Sequence, residues 1–138
     1  KLTTPSSAAI KALRKFNVKK LSIFTPYSKA LNDEIVEYFS KEGFDITSNN
    51  YLDIAADYDI GKVDQEFLYN ILSKINMDDA DALFISCTAL PVLNIIDNLE
   101  KKLNKPVLSS NQTLIWDSLE SIGKNNDVIG FGKLFNMN

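Results

Sequence analysis

The sequence predicts an α/β fold, a parallel sheet covered by helices on both faces, and two observations carry that prediction. Short apolar runs of strand length, Leu21 to Phe24 and Ala82 to Ile85 most clearly, alternate with longer stretches of helical period. Hydroxyl-rich turns then recur where the strand-like runs give way to helix starts. Strands separated by helices in this way pair in parallel and are buried on both faces. At 138 residues and 45% hydrophobic composition, the chain is long enough for one such domain with a substantial core.

Each element has a local signal. Thr4 as N-cap and Pro5 at the first helical position start a helix whose apolar face is Ala9, Leu13 and Phe16. Leu21 to Phe24 forms a strand ending at Thr25-Pro26-Tyr27. Leu31, Ile35, Tyr38 and Phe39 mark an amphipathic helix stopped by Gly43. Phe44 to Tyr51 reads as a strand, and Asp53 to Gly61 as a long loop. Asp64 caps a helix whose stripe is Phe67, Leu68, Ile71, Leu72 and Ile75. Ala82 to Ile85 is the most apolar strand; it ends at Ser86-Cys87-Thr88, and Pro91 opens a helix through Leu93, Ile96 and Leu99. Val107-Leu108 is a strand leading through Ser109-Ser110-Asn111 into a helix bearing Leu114, Ile115, Leu119 and Ile122, where Trp116 is read as helix packing. Val128 to Phe131 reads as a last strand. The architecture so described is Rossmann-like.

Leu2-Thr3-Thr4 and the helix after it resemble Leu108-Ser109-Ser110 and its helix at a constant offset of 106 residues. Chance similarity within an α/β chain is one reading; tandem duplication is the other. On the second reading, residues 1–16 close a preceding half, residues 17–125 form a second α/β domain, and residues 126–138 form a strand or tail returning toward that other half. Lys1 in place of an initiator methionine fits that expectation.

Several classes are excluded or disfavoured. A net charge of −3 speaks against nucleic acid. No apolar run approaches the roughly 18 residues of a membrane span, and no signal-peptide pattern opens the chain. A lone cysteine cannot form an internal disulfide, so a cytoplasmic location is expected. The absence of histidine removes Ser-His and Cys-His pairs within the chain. One cysteine and no histidine also exclude the familiar structural zinc sites. A phosphatase-like Cys-x5-Arg loop fails because the sixth residue after Cys87 is Leu93. No glycine-rich nucleotide loop is present, and Asp53, Asp57 and Asp59 lack the calcium-loop pattern, so no metal is expected.

The chemistry concentrates in four turns: Thr3-Thr4, Thr25-Pro26-Tyr27-Ser28, Ser86-Cys87-Thr88 and Ser109-Ser110-Asn111. Hydroxyls and free amides at strand ends bind carboxylates without arginine, although capping alone also accounts for them. Cys87 has the best position, between a buried strand and an expected helix start, where the helix dipole favours thiolate. A thiol there can act as nucleophile or proton carrier; an inert buried cysteine is the alternative. Tyr27 is either a substrate contact or an ordinary rim tyrosine.

Thr25-Pro26-Tyr27, Ser86-Cys87-Thr88-Ala89-Leu90, and Lys105-Pro106-Val107-Leu108-Ser109-Ser110-Asn111-Gln112 with Trp116 resemble the aspartate/glutamate racemase superfamily, closest to its maleate cis-trans isomerases. Thr4-Pro5-Ser6-Ser7-Ala8 and Ala12-Leu13 resemble that family's inter-domain segment. The resemblance implies one half of a pseudo-symmetric two-domain enzyme that needs no cofactor, each half offering one cysteine to a shared cleft. It implies isomerisation of a small dicarboxylic acid, maleate to fumarate in type, with Cys87 assisting by proton transfer, and an isolated chain inactive without its other half. Amino-acid racemases, arylmalonate decarboxylases and ectoine-utilisation proteins are the related alternatives; a non-catalytic small-acid binding domain is the alternative of another class. Cys87 and Tyr27 are the implied catalytic groups. Pro26, Ser86, Asp57 and Thr4 are implied substrate contacts, and the amides around Thr88, Ala89 and Leu90 an implied carboxylate cradle. The implied partners are the carboxylate substrate, the other half and further copies in a homo-oligomer. Asp57 stands where many maleate isomerases carry asparagine, and a carboxylate there repels a dicarboxylate.

Overall fold

The computed structural model describes residues 2–124 and 128–137. Thr4 caps helix α1 (Pro5–Lys15): its hydroxyl accepts the Ser7 N–H, the Ser7 hydroxyl accepts the Thr4 N–H, and Pro5 opens the helix. Then follow β1 (Lys20–Thr25), α2 (Lys29–Lys41), β2 (Asp45–Tyr51), the single turn α3 (Asp57–Ile60), α4 (Gln65–Leu72), β3 (Ala82–Ile85), α5 (Ile96–Leu103), β4 (Val107–Ser109) and α6 (Ser110–Ser121). No described helix is long and apolar enough to cross a membrane.

All four strands are parallel, in the order β2-β1-β3-β4. Period-two alternation divides their side chains between two layers. Leu21, Ile23, Ala82, Phe84 and Leu108 pack with Leu13 of α1, Phe39 of α2 and Trp116 of α6. Phe24, Leu83, Ile85 and Val107 pack with Leu68 and Leu72 of α4 and with Ile96 and Leu99 of α5. Helices therefore cover both faces, as the alternation of elements predicts. Burying one such Phe, Leu or Ile contributes about 1.5–3 kcal/mol. Helix α1 supplies the core with Ala8, Ala9, Ala12 and Leu13, each at 0% exposure.

The strand order reverses between β1 and β3. The chain leaves β1 for β2 at one edge, then crosses back past β1 to β3 and on to β4. Such a switch point opens a crevice beyond the carboxyl ends of the two central strands, because the connections leave in opposite directions.

Three expectations need correction. The helix read as opening at Pro91 starts later: residues 86–92 are irregular, Leu93–Ile95 is a 3-10 turn, and α5 begins at Ile96. Leu90 and Val92, each 2% exposed, turn into the core first, and their burial holds the chain out of helix. The expected strand from Val128 to Phe131 is absent. Gly130 and Gly132 have φ of 92° and 87°, which is incompatible with a strand. The tail instead packs Leu134 and Phe135 into this domain's own core, while the expected tail positions 126, 127 and 138 lie outside the described residues. The loop from Asp53 to Gly61 contains the turn α3.

Candidate active site

Beyond the last pair of β1 and β3 residues, the two chains splay apart around a cavity of about 400 Å³. Tyr27 follows β1 and lines one part of its wall; Ser86, Cys87 and Thr88 follow β3 and line another. The first residues of α1 (Pro5, Ser6) and of α6 (Ser110) also reach it, as does Asp57 at the start of α3. Leu31, Ile35 and Phe39 of α2 and Phe84 of β3 supply the apolar part.

The turn carrying Tyr27 is held from two sides. Leu52, Asp53 and Ile54 donate their N–H groups to the carbonyls of Thr25, Tyr27 and Pro26 at 3.2, 3.1 and 2.9 Å. Beneath it, the Thr25 hydroxyl donates to Asn32 Oδ1 at 2.8 Å, and Asn32 Nδ2 donates to Asn49 Oδ1 at 2.8 Å. Thr25 and Asn32 are fully buried, so these bonds satisfy groups that water cannot reach.

Cys87 is a free thiol, 4% exposed, yet on the cavity wall. Its sulfur accepts the Ala89 N–H at 3.3 Å, a donor that steadies negative charge there. The Thr88 carbonyl is tied to α6 by Asn111 Nδ2 at 2.8 Å. The dipole argument for Cys87 changes accordingly. The next helix along the chain starts only at Ile96, and the longer helices whose starts border the cavity are α1 and α6, beside the single turn α3.

Tyr27 and Cys87 line the same cavity, near enough for the thiol to act on the phenol. Burial pushes the phenol above its ordinary 10.0, and the bond to Cys87 and the charges of Cys87 and Asp57 push the same way. Tyr27 is thus an O–H donor across the neutral range and not a base.

The other expected contacts divide. Ser86, Thr88 and Asp57 line the cavity. Pro26 is buried and acts through the backbone of its turn. Thr4 lies outside the lining, its hydroxyl engaged with Ser7 as a cap. Ala89 and Leu90 also lie outside it: the Ala89 N–H goes to the neighbouring sulfur and the Leu90 side chain into the core. Of the three amides implied as a cradle, that of Ala89 is engaged by the sulfur. Sequence reasoning missed Asn111 as the anchor of the Cys87 loop. It also gave the apolar face of α2 no role in the site, and Leu31, Ile35 and Phe39 border the cavity, Ile35 and Phe39 while packing with the core as well. Trp116 is helix packing, as read, with Lys11 and Lys15 ammonium groups 5.1 and 5.3 Å from its ring centroid.

The chain is similar to several known proteins. The chain is 29% identical over 119 residues to the maleate isomerase of Alcaligenes faecalis, covering 86% of this chain and 47% of that protein. It is 27% identical over 136 residues to the arylmalonate decarboxylase of Bordetella bronchiseptica, covering 96% and 57%. A maleate isomerase structure from Pseudomonas putida S16 with maleate superposes with a TM-score of 0.93 at 28% identity, covering 97% of this chain and 54% of that one. The chain thus spans about half the length of the relatives it matches. The arylmalonate decarboxylase family profile matches residues 1–135. The chain belongs to that family, which groups it with maleate isomerases in the aspartate/glutamate racemase-like superfamily.

Proposed function

We propose that this chain is the Cys87-bearing part of a cysteine-dependent isomerase of a small unsaturated acid, maleate to fumarate in type. The observation that carries the reading is the pairing of Cys87 and Tyr27 on one cavity at the sheet's switch point. The maleate isomerase relatives support the reaction class. A second α/β half with its own cysteine completes the cleft; the chain's span of about half its relatives supports that part.

In the reaction, the thiolate of the other half adds to one alkene carbon, and the Cys87 S–H gives its proton to the other. The double bond becomes single and rotates. Cys87 sulfur then takes the proton back, and elimination expels the attacking thiolate and restores the double bond in the trans form. Tyr27, held protonated, donates to an acid oxygen or to the Cys87 sulfur and steadies the charge that develops there.

Replacing Cys87→Ser in the protein with both halves tests the reading. Turnover of maleate or of its half-amide, whichever the parent protein converts, should fall at least about 100-fold, while the thermal midpoint is unchanged. Retained turnover would remove Cys87 from the chemistry.

A further inference from the structure

Among the residues lining the Cys87 cavity, Asp57 is the only charged side chain. No lysine or arginine lines it, and among the described ion pairs none involves Asp57. Lys62, five residues along the chain from Asp57, pairs with Asp59 at 3.8 Å, and Lys29 at the start of α2 pairs with Asp33 at 2.5 Å. The Asp57 charge is felt at the Tyr27 phenol, inside the site.

The wall thus offers two different fields to a ligand. The starts of α1 and α6, 11 and 12 residues long, present partial positive charge suited to one carboxylate. Asp57 presents full negative charge, which accepts from N–H donors and repels a second carboxylate. We propose that Asp57 sets the substrate class: a small acid with one carboxylate, whose other polar end is a hydrogen-bond donor such as an amide or ammonium. This rests on the cysteine chemistry proposed above and replaces one carboxylate of the maleate-type substrate with a donor, as in its half-amide.

The test uses two saturated acids that do not react with thiols, succinate and succinamate, which differ only in a carboxylate against an amide. Each is titrated against alkylation of Cys87 by iodoacetamide, read on the Cys87 peptide by mass spectrometry. Asp57 is solvent-exposed, so Asp57→Asn leaves the fold intact. Succinamate should halve the labelling rate at a concentration about tenfold lower than succinate, a modest ratio because water screens an exposed carboxylate. In Asp57→Asn the ratio should fall to about one. Equal protection by the two acids in the unaltered protein, no protection by either, or an unchanged ratio in the variant would overturn the proposal. The turnover of Cys87→Ser decides the cysteine chemistry separately. If turnover needs Cys87 and the ratio is one, the substrate class alone falls.

Discussion

Phe24 and Ile85 are register partners in adjacent parallel strands, and the Ser86 N–H closes their ladder on the Phe24 carbonyl at 2.9 Å. Beyond that pair the two chains diverge, one into Pro26 and Tyr27, the other into Cys87. Strand register thereby fixes which phenol meets which thiol. The meeting is a property of the sheet's topology, and three predictions follow from how it is supported.

Removing the Tyr27 hydroxyl while keeping its ring separates hydrogen bonding from packing. Tyr27→Phe should lower kcat/KM by about 10- to 100-fold, the cost of a donor to a charged group. Because the folded phenol binds its proton more tightly than the ordinary 10.0, the fold loses stability as pH rises above that value. Melts of the two proteins should therefore differ more in favour of the phenylalanine variant at pH 11 than at pH 8. A rate that climbs with pH as Tyr27 loses its proton, a limb absent in Tyr27→Phe, would contradict the donor role.

Asn32 is a fully buried amide with both ends engaged beneath the Tyr27 turn. Asn32→Leu leaves the Thr25 hydroxyl and Asn49 without their partner, so unfolding free energy should drop by about 1–3 kcal/mol. Urea denaturation measures it. Turnover should fall as well, since the turn that aims Tyr27 loosens; a variant as stable and as active as the parent would show the network to be incidental.

Glu100 is 3% exposed and clamps two segments, accepting the Val107 N–H at 3.0 Å and the Lys133 N–H at 2.8 Å. Desolvation raises its carboxyl above the ordinary 4.5, although those two N–H groups pull the other way. The folded state therefore holds the proton longer, and this group's stability is greatest below about pH 4.5 and declines as pH rises through the raised value. Glu100→Gln should remove that decline. It should also cost about 1–3 kcal/mol, because one amide oxygen cannot accept both N–H groups. Urea melts from pH 4 to pH 7.5 that stay parallel for the two proteins would refute the linkage.

How much of this was legible beforehand depended on whether the cause was local. The caps Thr4, Asp64 and Ser109 act within one turn, and the helices they begin stand where the sequence puts them. The strand Ala82 to Ile85 was readable because burial on both faces demands an unbroken apolar run. The Cys87 loop was not. Pro91 signals a helix start, but Leu90 and Val92 find a hydrophobic layer built from α4, α5 and β3, and that layer overrides the local preference. The second role of the α2 face was hidden for a similar reason: an apolar face looks the same whether it meets a core, a cavity wall or, as at Ile35 and Phe39, both.

By itself the sequence determined the order of elements, their caps, the two-faced burial of the strands, and the strand ends where Cys87 and Tyr27 sit, since each of these follows from neighbours within a few residues. The tertiary structure alone decided that those two side chains face each other, that Asp57 joins them while Thr4, Ala89 and Leu90 do not, and that the tail folds onto its own domain through Glu100 and Gln112. Those outcomes depend on strand order and on which buried groups compete for the same partners, and such competition is settled only when the whole core closes.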